Sequence, residues 1–172
     1  MNLLYFLFKT LKYNRMNPTD PNAIIKNDHE NVKIMLDAYL DMEFDQKLDQ
    51  AEKISETLAV HMGMEEEIFY PEVEKLSAGE ELISDAIEEH KEIKDHLLTI
   101  LKTDDEDELD KHMKMMEKVL LHHIKEEESK MLTLSEEKLK NEHAVLAGRM
   151  LAYKASNKGK IFFDKLKDKI GI

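Results

Sequence analysis

Apolar residues recur every three or four positions along most of the chain, and no useful length alternates strictly between apolar and polar. That period predicts helices and no sheet. A first helix, from Pro21 to about Met42, carries Ile25, His29, Val32, Leu36 and Tyr39 on one face, with Asp20 as its expected N-cap. A second, starting near Asp45, aligns Leu48, Ala51, Ile54, Leu58, His61, Glu65 and Phe69–Tyr70, and Pro71 is placed to kink or end it. Beyond a turn at Ser77-Ala78-Gly79-Glu80, a third presents Ile83, Ala86, His90, Ile93, Leu97 and Ile100. Thr103-Asp104-Asp105-Glu106 has capping-box form and opens a fourth, with Leu109, Met113, Met116, Leu120, His123, Glu127, Met131 and Leu134 in register. A fifth is expected from Ser135 to about Ser156, on Leu139, His143, Leu146 and Met150. Long amphipathic helices joined by short turns predict an all-α, up-down-up-down four-helix bundle with extra N- and C-terminal helical segments.

Three regions are expected: an amphipathic segment at 1–16, the bundle at 17–156 and a basic amphipathic tail at 157–172, with Phe162, Leu166 and Ile170 on one side. The apolar run Leu3–Phe8 is too short to span a bilayer, which takes roughly 20 apolar residues. No small-residue cleavage site follows it. It is left to pack on the bundle or on a second copy of the chain, to lie on a membrane surface, or to be a leader ahead of Met16.

Composition narrows the chemistry. A net charge of −12 would repel a nucleic acid in the absence of a concentrated basic face. The absence of cysteine removes disulfides, thiolate zinc sites, iron–sulfur clusters and thiol redox chemistry, which leaves histidine and carboxylate as the strong ligands. Nothing calls for an oxidising compartment, and a cytoplasmic location is expected.

Within the apolar stripes of the first four helices, six residues break the pattern: His29, the pair His61 and Glu65, His90, and the pair His123 and Glu127. Imidazoles and carboxylates on a buried face need partners or a bound ion. The six fall in a repeat. Asp28-His29-Glu30 matches Glu89-His90-Lys91, and the segment from His61 to Pro71 matches that from His123 to Thr133. Two copies of one helical hairpin, each giving a histidine and then His-x-x-x-Glu, would surround a shared centre. Residues four apart on a helix are neighbours, so His-x-x-x-Glu can grip one metal or pass a carboxylate to a second. His122 with Glu126 has the same spacing as His123 with Glu127. Stepping back from His123 by three, seven, ten and fourteen meets Leu120, Met116, Met113 and Leu109, whereas the same steps from His122 meet Val119, Met115, His112 and Glu108. His123 is therefore the expected ligand.

Other residues are expected to do less. Met35, Met62, Met64, Met113, Met115 and Met116 read as packing, His143 as a core or supporting residue, and His96 and His112 as surface. No His-Glu-x-x-His or Glu-x-x-His word is present, which argues against a zincin protease and a ferritin-like carboxylate site. Imidazole with bridging carboxylate and open positions suits iron or manganese.

The words Asp28-His29-Glu30, His61-x-x-x-Glu65-Glu66 with Phe69-Tyr70-Pro71, Glu89-His90-Lys91 and His123-x-x-x-Glu127-Glu128 resemble the hemerythrin-like, HHE cation-binding family over about residues 20 to 152. The resemblance implies a four-helix bundle holding two iron ions, a non-haem di-iron centre with an oxo or hydroxo bridge. His29, His61, His90 and His123 would be terminal ligands, and Glu65 and Glu127 carboxylate bridges. It implies binding or sensing of dioxygen or nitric oxide, or a part in iron homeostasis. The alternatives are an enzyme reducing peroxide or nitric oxide, and an interaction module locked by metal. Two words depart from the oxygen carriers: Lys94 stands where they have a second histidine, and His-x-x-x-Glu replaces His-x-x-x-x-Asp. A five-histidine asymmetric site is therefore not implied.

Overall fold

The computed structural model describes residues 17–76, 79–156 and 158–168. The N-terminal segment, Ser77 and Ala78 of the expected turn, and Ile170 of the tail lie outside the described residues. Helix α1 (Pro21–Tyr39) opens as the sequence predicts: Asp20 accepts a hydrogen bond from the Asn22 amide at 2.9 Å, and Pro21 has no amide to leave unpaired. It stops three residues short of Met42, at a point where Leu40 is exposed and has no core to continue into. Helix α2 (Phe44–Met64) leads through a π-turn (Glu65–Phe69) into α3 (Tyr70–Glu74). Pro71 lies inside this run and does not end it.

Helix α4 (Gly79–Ile100) packs its start against the end of α3 so closely that a Cβ at Gly79 would lie 2.0 Å from the Val73 carbonyl oxygen. Helix α5 (Glu106–Glu126) is capped by Asp105, which accepts from the Glu108 amide at 2.8 Å. The Thr103 box expected there is replaced: Thr103 donates to the Glu108 carboxylate and accepts from the Asp105 amide. A second π-turn (Glu127–Met131) continues α5 into α6 (Leu132–Lys138), and beyond it lie α7 (His143–Ala155) and α8 (Lys158–Asp168).

The expected fifth helix is thus two elements. Its first turn belongs to α6, and the break comes at residues 139–142. The extra residue in the π-turn rotates the downstream residues by about a quarter-turn, so Leu132, Ser135 and Leu139 point inward while Leu134 is only half-buried. Ser135 and His143 then meet across the break, with ring Nε2 3.2 Å from the serine Oγ.

The helices form a bundle with two apolar clusters. One collects Val32, Leu36, Leu58, Leu97, Met116 and their neighbours; the other collects Ile24, Ile25, Phe69, Tyr70, Met131, Met150 and theirs. On each long helix the polar residues of the stripe fall between the two: His29 lies between Ile25 and Val32, and His90 between Ala86 and Ile93. The bundle therefore encloses a polar layer between two apolar ones. The tail packs on α2, with Phe163 buried against Ala59. The side chains of Phe162 and Leu166, expected on the apolar side of the tail, lie outside the described residues. Met62, Met64, Met113 and Met116 are core, whereas Met115 is exposed. Among the described residues no helix is long and apolar enough to cross a membrane.

Candidate metal centre

All six residues that break the apolar stripes of the first four expected helices meet in the polar layer. His29, Glu65 and His90 have no exposed surface, and His123, Glu127 and His61 retain 1%, 2% and 3%. Three overlapping sets offer atoms within 4.8 Å of one another: His29, His61 and His123; Glu65, His90 and His123; and His29, Glu65 and Glu127. His61 Nε2 lies 3.1 Å from Glu65 Oε1, and His29 Nε2 lies 3.1 Å from Glu127 Oε2. His90 Nε2 and His123 Nε2 are 3.3 Å apart.

These short approaches are mostly not hydrogen bonds. His29 Nε2, both ring nitrogens of His61, Glu65 Oε1 and both oxygens of Glu127 are buried without a hydrogen-bond partner. Orphaned groups of this kind are costly in a dry interior. The lone pairs converge on shared points instead of on each other. Neighbouring ligands about 2.1 Å from one ion stand about 3.0 Å apart in octahedral and about 3.4 Å in tetrahedral geometry, which is the range seen here.

Behind each ring stands a carboxylate. His29 Nδ1 is 2.9 Å from Glu128, His90 Nδ1 2.8 Å from Glu66, His123 Nδ1 3.0 Å from Glu89, and His61 Nδ1 3.6 Å from Asp28. The pattern follows the repeat: the glutamate after each inward Glu supports the histidine of the other hairpin, and the acid before His29 or His90 supports the second histidine of its own. At His29, His90 and His123 the carboxylate on Nδ1 fixes the tautomer and turns the Nε2 lone pair inward; Asp28 lies too far from His61 for a hydrogen bond. None of Asp28, Glu66, Glu89 and Glu128 was singled out from sequence as a supporting group. The signal was present in the repeated Glu-Glu and acid-His words, but such residues also occur on any solvated face.

The two inward carboxylates titrate differently. Burial raises Glu65 well above the usual carboxylate range, and the charge of Glu127 adds to this. Burial acts the same way on Glu127, but His29 outweighs it and holds Glu127 at about 2. His90 falls to about 4 and His61 falls as well, both through burial. Their rings are neutral at pH 7, the form that binds a metal. Tyr70 adds a hydroxyl 3.2 Å from His90 Nε2 and 3.4 Å from Glu65 Oε2, and its ring stacks on His90. The second hairpin has Leu132 at the matching place.

The remaining histidines lie elsewhere. His122 is exposed, whereas His123 is buried in the cluster. His143 binds Ser135, away from the polar layer. His96 and His112 form a half-buried pair with their Nδ1 atoms 3.1 Å apart, so they are less exposed than their place off the stripe suggests.

Fold and site together define a helical bundle whose buried histidine–carboxylate cluster is able to hold a metal. The model of the hemerythrin HHE cation-binding domain matches residues 20–135, and the chain belongs to that family. No curated protein and no solved structure matches it. Helices α7 and α8 lie beyond the matched region.

Proposed function

We propose that this protein is a non-haem di-iron protein that binds or senses a small diatomic ligand, dioxygen or nitric oxide, or takes part in iron homeostasis. The observation that carries the reading is the convergence of unpartnered ligand atoms from four helices, with His29, His90 and His123 oriented from behind by carboxylates and Asp28 standing 3.6 Å behind His61. His29, His61, His90 and His123 would be terminal ligands, and Glu65 and Glu127, whose carboxylates lie among all four rings, would bridge. Iron with vacant positions supplies reversible binding or one-electron chemistry with small oxygen and nitrogen species. The chain's own part is to keep the His61 and His90 rings neutral, to exclude water with apolar layers on both sides and to fix the geometry before the metal arrives.

A second reading, an enzyme that reduces peroxide or nitric oxide, draws support from Tyr70. Its hydroxyl is a proton donor set within the cluster. The test is metal content of protein made in iron-rich medium, with an optical spectrum and assays for turnover. Two irons per chain and near-ultraviolet absorption of a bridged ferric pair are expected. Zinc alone at one per chain would remove the di-iron reading. Turnover of peroxide or nitric oxide that slows in Tyr70→Phe would favour the enzyme.

A further inference from the structure

The two hairpins repeat in sequence, yet their outer faces differ. Over the first, α7 lies against α1 and the π-turn and shuts the cluster in: Lys154 pairs with Asp28, and Tyr153 comes so close that a Cβ at Gly63 would lie 2.4 Å from its hydroxyl. No element covers the matching face of the second hairpin among the described residues. A groove of about 260 Å³ opens there between α4 and α5, and His123 and Glu127 form its inner end.

The repeat shows how the two faces diverged. Ile24, Met64 and Ile68 on the covered side correspond to Asp85, Glu126 and Lys130 on the open one. Ile24 and Met64 are core residues beneath α7, whereas their charged counterparts line the groove. Its walls carry Asp85, Glu88, Glu89, Glu92 and Glu126 against a single lysine, Lys130, which is paired to Glu126. Asp85, Glu88 and Glu92 are exposed at the mouth. Further in, Glu89 spans the depth of the groove, with one oxygen 3.4 Å from exposed His122 and the other 3.0 Å from buried His123. At the floor is Glu127, buried and with both oxygens unpartnered.

We propose that this acidic groove between α4 and α5 is the route by which a divalent cation reaches the cluster. The inference rests on the metal-binding reading above. Charge selects the traveller. A neutral diatomic molecule gains nothing from a carboxylate lining and an anion is repelled, whereas a dication is concentrated by it, most strongly between low-dielectric walls. Carboxylates and an imidazole spaced from mouth to floor also offer oxygen and nitrogen partners in place of the water that the ion sheds. The covered face offers no such path, since α7 and the apolar residues beneath it fill the corresponding space.

The test measures the rate at which metal-free protein takes up cobalt(II), whose visible absorption reports binding without oxidation. The triple variant Asp85→Asn, Glu88→Gln, Glu92→Gln is compared with wild type and with a control of equal charge change, Asp41→Asn, Asp49→Asn, Asp104→Asn, at exposed positions outside the groove. The groove variant should load about ten-fold more slowly at low salt, converge on wild type near molar salt, and reach the same final cobalt content. The control should load like wild type. Groove and control variants that load equally fast would overturn the route while leaving the metal site standing. A wild-type protein that binds no cobalt at equilibrium would overturn both.

Discussion

Behind the histidines and among the candidate ligands stand carboxylates of two kinds, and their removal should have different effects. Glu65 and Glu127 sit between rings contributed by both hairpins, so Glu65→Ala or Glu127→Ala should lose most of the second metal. Two metals per chain in the Glu65→Ala protein would exclude bridging. Glu66 and Glu128 reach the cluster only through Nδ1 atoms, and Glu66 also accepts from Lys94 at 2.6 Å. Glu66→Ala or Glu128→Ala should keep the stoichiometry but weaken retention about 10–100-fold, as read by competition with a chelator. His143→Ala should keep both metals, because that ring is engaged with Ser135. The six inward residues were legible in sequence because each interrupts an apolar stripe. The four supporting acids and Tyr70 were not, since which side chain stands behind a ring depends on how neighbouring helices face one another.

Among the elements, the two π-turns are the part that helical periodicity did not reveal. Pro71 invites the view that it causes the first, yet the second hairpin has Thr133 at the same place and the same π-turn. The shared feature is the His-x-x-x-Glu-Glu word, and each turn begins at the inward glutamate. In both, the amide five residues on donates to that glutamate's carbonyl, from Tyr70 to Glu65 and from Leu132 to Glu127. Tyr70 is thereby set one widened turn beyond Glu65, within reach of its carboxylate. Helix α7 sets a different constraint, at Gly63. Replacing a mid-helix glycine by alanine normally gains about 1 kcal/mol, but here the new methyl would meet the Tyr153 hydroxyl. Overpacking of this kind costs about 1–3 kcal/mol, so Gly63→Ala should be destabilising on balance. Urea unfolding should show Gly63→Ala, Tyr153→Phe recovering part of the loss. A stabilised single variant would mean that α7 yields easily and does not seal that face.

For the whole molecule, one polar network ties the helices together away from the cluster. Tyr39 on α1 donates to Asp110 on α5 at 2.6 Å, and Lys47 on α2 donates to the same carboxylate at 2.7 Å. Burial alone would raise Asp110, but Lys47 and Tyr39 outweigh it and hold it below the usual range. A carboxyl depressed in the native state stabilises above its unfolded pKa of about 4, and the gain is lost as pH falls through the native value. With the carboxylate 45% exposed, screening limits the effect to under about 1 kcal/mol. The metal-free wild type should therefore exceed Asp110→Asn in urea midpoint near pH 6, and the gap should shrink as the pH falls below about 4. A gap that widened in acid would contradict the assignment.

By itself the sequence determined the helical class, the caps at Asp20 and Pro21, the buried faces of the long helices and the six residues set among them. Each of these follows from the 3.6-residue period or from neighbours on one helix, interactions of short range along the chain. The tertiary structure decided the rest. Residues of separate helices converge as orphaned pairs only when the bundle closes, and the second π-turn resets which face of α6 points inward. Helix α7 settles on one of two homologous faces, which it covers while the acidic one stays open. These outcomes depend on which surfaces are apolar enough to be buried against each other, a property of pairs of elements that no single stretch of chain displays.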